Sequence, residues 1–148
     1  MVKTTLLSFR DLTPEILYEL LKLRQDVFVV EQNCPYEDID NLDQNALHLL
    51  TFYDKTVVAC CRILTGHTDP SISAIGRIVV HPSQRGKGLG KDLIAKALDL
   101  IKSRGHDGAV IEAQAHLESY YNSIGFLKSS EPYDLDGIPH KKMKIDLR

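Results

Sequence analysis

Residues 74–115 constrain the fold more than any other part of this chain. An almost unbroken apolar run from Ala74 to Val80 leads into the loop Arg85-Gly86-Lys87-Gly88-Leu89-Gly90-Lys91. A helix-period stripe follows (Leu89, Leu93, Ile94, Ala97, Leu98, Ile101), then Gly105 to Gly108, then a second strand-like run from Ala109 to Ala115. A run of unbroken apolar residues is what a strand covered on both faces needs. Strand, crossing helix and strand in that order predict a βαβ unit, whose two strands are parallel.

The rest of the chain adds antiparallel partners. Val2 to Phe9 is short and β-prone, and Thr13-Pro14-Glu15 reads as a helix start: Thr caps, Pro is tolerated in the first turn, and Glu suits the positive helix end. Ile16, Leu20, Leu23 and Val27 then share one helical face. Glu31, Glu37, Asp38, Asp40 and Asp43 fall in a stretch with no apolar period, read as a solvated loop or short irregular helix. Strands are expected over His48–Tyr53 and Thr56–Thr65, joined by the hairpin pair Asp54-Lys55, with a loop from Gly66 to Ser71. A short helix over Leu117–Ile124 ends at Gly125, and Met143, Ile145 and Leu147 alternate with polar residues as a half-exposed final strand. The fold class is α/β (α+β), a single domain over residues 1–148 with a mixed sheet.

Composition narrows the function. At ~100–200 residues per domain, 148 residues make one domain. A net charge of −2 and a pI near 6.3 argue against a dedicated nucleic-acid binder. No apolar run approaches the ~18–20 residues that span a bilayer, and the N-terminus lacks the pattern of a secretory signal. Three cysteines, two of them adjacent (Cys60, Cys61), give no disulfide framework and point to a reducing, cytoplasmic setting. The cysteines and histidines show no paired ligand spacing, so no metal site is expected.

The glycine loop carries the chemistry. Glycines let backbone approach a ligand without Cβ clashes, and the N–H groups of a helix start form an anion site. Arg85, Lys87 and Lys91 add positive charge, so a phosphate or pyrophosphate is expected. The nucleotide P-loop needs Gly-x-x-x-x-Gly-Lys-Ser/Thr, but Asp92 follows Gly90-Lys91 and Arg85 stands five residues before Gly90. The dinucleotide fingerprint needs a third glycine where Lys91 stands.

What remains, Arg-x-x-Gly-x-Gly from Arg85 to Gly90, resembles the coenzyme A pyrophosphate loop of the GNAT superfamily of N-acetyltransferases. Ile78-Val79-Val80-His81-Pro82 looks like the family's preceding strand, and Tyr121-Asn122-Ser123-Ile124-Gly125-Phe126 like its later Tyr-x-x-x-Gly-Phe element. The segments Val27 to Tyr36, Ala113 to Leu117 and Gly137 to His140 are similar to the ElaA-like branch. One departure is Gln114, where the family often has Asn.

The resemblance implies a GNAT-type mixed central sheet and acetyl-CoA as co-substrate, with an amine acceptor that is a small molecule or a protein. It implies that coenzyme A lies in a splay between two parallel strands. Ile78, Val79 and Val80 would offer backbone groups to the pantetheine, Arg85, Gly86, Lys87, Gly88, Leu89, Gly90 and Lys91 would hold the pyrophosphate, and Gln114 would add an amide contact. Tyr121 is the family-matched acid for the departing thiolate, with Tyr120 its neighbour and rival. A lysine-like amine with pKa ~10.4 is deprotonated in only about one molecule in 10³ at pH 7, so a base or water chain must help. Glu31, His48, Glu112 and His140 are the candidates. Arg77 either meets an acidic acceptor or pairs with a carboxylate, and the acidic stretch either attracts a cationic amine or is solvated. Cys34 is either a nucleophile or structural. Two other readings stay open: an acyl-CoA sensor without turnover, and an acyl-homoserine-lactone synthase, against which the absence of tryptophan counts. A free strand edge would allow a homodimer.

Overall fold

The computed structural model describes residues 2–148, the side chains of residues 67 and 68 excepted. The chain runs β1 (Val2–Ser8), α1 (Pro14–Arg24), β2 (Leu47–Tyr53), β3 (Thr56–Asp69), β4 (Ile72–Val80), α2 (Leu89–Ser103), β5 (Gly108–Gln114), α3 (Glu118–Ile124), β6 (Leu127–Lys128), β7 (Tyr133–Leu135) and β8 (Ile138–Asp146). Among the described residues the strands form one sheet in the order β1-β2-β3-β4-β5-β8-β6, with β7 beside β8. Only β4 and β5 run parallel, and α2 crosses between them, as the βαβ reading requires.

Local sequence explains the elements. Thr13 caps α1, its Oγ1 accepting the Ile16 N–H at 3.2 Å, with Pro14 in the first turn. Asp54 and Lys55 both have positive φ, +47° and +71°, the geometry of a two-residue turn whose twist matches the strands it joins. Leu93, Ile94, Ala97, Leu98 and Ile101 are buried along one face of α2. Each large aliphatic side chain among them stabilises the fold by roughly 1.5–3 kcal/mol through burial.

The sheet has helices on both faces. Leu20, Leu23 and Val27 pack with Leu50, Cys60 and Val79 on one side. On the other, α2 packs with Cys61, Ile63, Ile75, Ile111, Tyr121, Phe126 and Met143. Strand alternation sends the adjacent Cys60 and Cys61 into opposite layers.

Three expectations need correction. Residues 66–69 are not loop: β3 continues to Asp69 and turns tightly into β4 at Pro70-Ser71. The final strand starts at Ile138, and β6 and β7 add two short strands that no hydrophobic pattern announces. α1 continues into a π-helix, Gln25–Glu31, with Gln32 N–H bonded to the Val27 carbonyl and Cys34 N–H to that of Val29. Such i→i+5 turns are rare and often lie at functional sites.

Candidate active site

β4 and β5 pair only at Ile72–Gly108, Ser73–Ala109 and Ala74–Val110, then part. The divergence begins beside a β-bulge. Arg62 faces Gly76, but Cys60 faces Val79, so β4 holds one extra residue, at Arg77 with φ +49°. The extra residue flips the alternation: Ile75 packs toward α2, whereas Val79, four residues on, packs toward α1. Beyond Ala74 the β5-facing edge of β4 has no ladder partner among the described residues, leaving backbone groups of Ile78 to Val80 for an extended ligand.

The glycine loop follows that edge. Gly86 and Gly88 have φ +79° and +78°, and Gly88 is the N-cap of α2. A Cβ at either position would meet nothing within 4 Å, so the loop is open on its outer side. The first ladder bond at Gly88 comes from Asp92 N–H, which leaves the N–H groups of Leu89, Gly90 and Lys91 at the positive helix end for an anion. At Gly90 a Cβ would sit 2.9 Å from the Tyr120 hydroxyl, so glycine permits α3 to close on α2. Lys91 lies over the Tyr120 ring, 5.7 Å from its centroid. Arg85 braces the loop. Its Nε donates to the Val80 carbonyl at 3.0 Å, and its two Nη atoms donate to Glu31 at 2.8 and 2.9 Å.

A cavity of about 580 Å³ opens into the splay. Ile78 and Gln114 reach it from the strands, Phe28, Gln32, Cys34 and Tyr36 from the π-helix and the loop after it, and Tyr121 from α3. Tyr121 is 7% exposed, edge-on to Phe126 and Tyr120, and burial pushes its hydroxyl up to about 12. Gln114 donates to Gln32 at 3.3 Å. His140 lines the wall, with Nδ1 2.8 Å from the Ile138 carbonyl and its ring stacked on Tyr133. Glu112, the one exposed residue of β5, also lines the cavity.

The remaining base candidates lie elsewhere. His48 is 1% exposed and absent from the cavity wall; its Nε2 lies 2.9 Å from the Asp43 carbonyl, and burial lowers its pKa. Glu31 is held by Arg85 at the glycine loop, not at the acceptor end of the cavity. Cys34 donates its Sγ to the Asp136 carbonyl, tying the loop to the β7–β8 turn.

The acidic stretch is not a solvated loop. Asp38 and Asp43 are buried, and with Asp40 they alternate with three arginines in a closed ring. Arg24 contacts Asp38 (2.9 Å), Asp38 contacts Arg77 (2.9 Å), Arg77 contacts Asp40 (3.2 Å), Asp40 contacts Arg62 (2.8 Å), Arg62 contacts Asp43 (3.1 Å), and Asp43 returns to Arg24 (2.8 Å). Three cations balance three anions. Arg24 is 1% exposed and Arg62 5%, so each buried charge is matched within the ring. Arg77 therefore pairs with carboxylates, and its guanidinium also lies over the Tyr36 ring at 5.4 Å. The ring pins the loop over residues 38–43 to α1, β3 and the β4 bulge, and so builds one wall of the cavity. Sequence reading missed Arg24 and Arg62 as partners. Both stand where the pattern predicts burial, and a buried arginine demands an acid nearby.

A family model described as an acetyltransferase (GNAT) domain matches residues 13–147. Protein ElaA of Escherichia coli (strain K12) is 42% identical over 137 residues, covering 90% of each chain. Its crystal structure aligns with TM-score 0.91 at 39% identity, over 98% of this chain and 99% of the other. An acyl-CoA N-acyltransferase from Pseudomonas aeruginosa aligns with TM-score 0.91 at 38% identity, again over 98% and 99%. A CoA-dependent acyl-homoserine lactone synthase, BjaI, aligns with TM-score 0.82 over 100% of this chain and 84% of its own, but at 18% identity it shares the fold alone.

Proposed function

The chain belongs to the GNAT acetyltransferase family and is an acyltransferase, and on that premise we propose that it moves an acetyl group from acetyl-CoA directly to a primary amine, Tyr121 protonating the departing thiolate. The observation that carries this reading is the splay between β4 and β5: the cavity that Tyr121 lines opens into it, and the unpaired edge of β4 runs on from there to the open glycine loop at the start of α2.

In this reading the pyrophosphate sits on the N–H groups of Gly86 to Lys91, with Lys87 and Lys91 supplying charge and Arg85 holding the loop in shape. The pantetheine takes the place of the missing strand partner along Ile78, Val79 and Val80, and Gln114 closes on it from β5. The thioester then lies within reach of Tyr121. Its carbonyl carbon is attacked by the amine, the C–N bond forms as the C–S bond breaks, the amine loses a proton, and the thiolate gains one from Tyr121.

Tyr121 is not too weak an acid for that step. At reference values a phenol is about 1.5 pKa units above a thiol, which opposes transfer by about 2 kcal/mol. Burial changes both partners. Burial pushes the Tyr121 hydroxyl up to about 12. Desolvation in the splay raises the basicity of a thiolate as well, which narrows the gap between donor and acceptor. For the base, His140 and Glu112 face the cavity, whereas His48 and Glu31 do not. The cysteines Cys34, Cys60 and Cys61 are free, which supports a reducing, cytoplasmic setting.

The test is to incubate the protein with acetyl-CoA and a pooled amine library, following thiol release and the mass of the products. Thiol release with a new acetylated amine, lost in Tyr121→Phe, supports the reading. Acetyl-CoA binding without release across the library overturns it.

A further inference from the structure

We infer that the acceptor is a zwitterionic amino acid, its ammonium docked on Glu112 and its carboxylate on Lys142. This rests on the acyl-transfer reading above and names the substrate class for the same cavity.

The inference starts from register. On β5, β8 and β7, Gln114 faces His140 and His140 faces Tyr133, while two residues along Glu112 faces Lys142. Residues two apart in a strand point to the same side, so these side chains form one polar patch. Ile111 and Met143, one residue out of step, pack against the α2 layer instead. Gln114, His140, Glu112 and Lys142 all line the cavity.

The second step is a census of charge. Arg62, Arg77 and Asp40 also line the cavity, but they belong to the neutral ring, and each already faces a partner of opposite sign. Outside the ring, the cavity's ionised side chains are Glu112, Lys142 and Asp136. Opposite charges at directly facing strand positions ordinarily attract and pair. Glu112 and Lys142 nevertheless form no ion pair with each other or with any other described residue. The wall thus offers one anion and one cation on neighbouring strands. A molecule bearing ammonium and carboxylate on the same carbon answers both.

Neighbouring groups agree. The Tyr133 hydroxyl is shielded from solvent beside Glu112; burial, then the negative charge of Glu112, pushes it up to about 12, so it stays protonated next to that carboxylate. Its ring stacks on His140, which fixes the corner of the patch. A polyamine would bring positive charge against Lys142, and a peptide N-terminus carries no carboxylate beside its amine. Asp136, exposed at the turn on the rim, adds a second negative charge, so a cationic side chain is favoured over an acidic one. In the transfer, the docked ammonium first gives one proton to Glu112, which passes it to water; the free amine then bonds to the acetyl carbon as the C–S bond breaks, the thiolate takes a proton from Tyr121, and the second proton leaving the nitrogen restores the Tyr121 hydroxyl.

The experiment compares the twenty amino acids, their α-amides, and simple di- and polyamines as acceptors, reading thiol release and product mass, with acetyl-CoA binding followed separately by calorimetry. The expected result is acetylation of free amino acids, basic ones ahead of acidic ones, and an amide KM about 10–100-fold higher, the worth of one charge-assisted contact. In Lys142→Gln that preference for acid over amide should collapse while acetyl-CoA affinity holds. Glu112→Gln should lower turnover with every amino acid. Amides or polyamines accepted as well as amino acids, or an unchanged preference in Lys142→Gln, overturn the proposal and leave the N-acetyltransferase reading standing. Failure of acetyl-CoA to bind at all overturns both.

Discussion

Asp43→Asn should cost far more stability than its small chemical change implies. The Asp43 carboxylate is 6% exposed and accepts from Arg24 Nη1 at 2.8 Å, Arg24 Nη2 at 3.2 Å and Arg62 Nη1 at 3.1 Å. Neutralising it leaves three arginines facing two aspartates, with Arg24 in no contact with water. Breaking a buried pair by removing one partner costs about 3–5 kcal/mol, because the other charge stays buried. For a chain of this size each kcal/mol moves Tm by about 2–4 °C, so a fall of about 6–20 °C is expected. Arg62→Met in the same background removes the adjacent cation and restores neutrality, so the double variant should be more stable than the sum of the two single losses by well over 0.5 kcal/mol, the usual limit of additivity. Asp26→Asn is the control: its pair with Lys22 is solvent-exposed and spaced i,i+4, so its loss should leave the urea midpoint close to that of the wild type. Urea melts of the wild type and the four variants at low and high salt decide the matter. A loss below 1 kcal/mol for Asp43→Asn, or strict additivity in the double variant, would refute the ring as a unit.

Other outcomes follow from the same geometry. Tyr121→Phe should abolish or sharply lower turnover while coenzyme A affinity, read by calorimetry, stays near wild type; equal loss of both would remove its role as acid. Gly88→Glu places a charged side chain at φ +78° in the proposed pyrophosphate loop, so coenzyme A binding should vanish while circular dichroism stays native. Acid should destabilise the fold in two stages, visible in urea midpoints against pH. Burial depresses the His48 pKa from 6.5, so the unfolded chain binds a proton that the folded chain refuses, and stability declines as pH falls below that value. Asp40 follows: burial opposes its charge, but the Arg62 hydrogen bonds and the nearby guanidinium charges prevail and hold it at about 2 against 3.8 unfolded. Its contribution is present above pH ~4 and lost toward pH ~2.

The βαβ unit was legible because each of its parts leaves a local mark: an apolar run, a glycine loop, a helical stripe. The cap at Thr13, the hairpin at Asp54-Lys55 and the stop at Gly125 were legible for the same reason. The ring was not. Asp38, Asp40 and Asp43 look like any hydrophilic loop until Arg24, Arg62 and Arg77 are brought beside them, and those come from α1, β3 and β4, 14 to 39 positions away. The bulge at Arg77 was hidden too, because Ala74 to Val80 is apolar at nearly every place and its alternation cannot be read. That Glu112 and Lys142 share the rim of one cavity depends on pairing between strands far apart in the chain, which no single strand displays.

The parting of β4 from β5 divides the sheet into two blocks, β1–β4 and β5–β8, joined along the backbone by three residue pairs. Side chains of α2 bridge them from one face only. Backbone amides along the open edge of β4 should exchange with deuterium faster than those of β3, and the two blocks should breathe against each other about the Ile72–Ala74 hinge. Under the proposed function, an elongated thioester lying in that gap would restore the missing rungs from outside the polypeptide. The co-substrate would then act as a temporary ninth strand: loading it should slow exchange in both blocks together and make unfolding more cooperative.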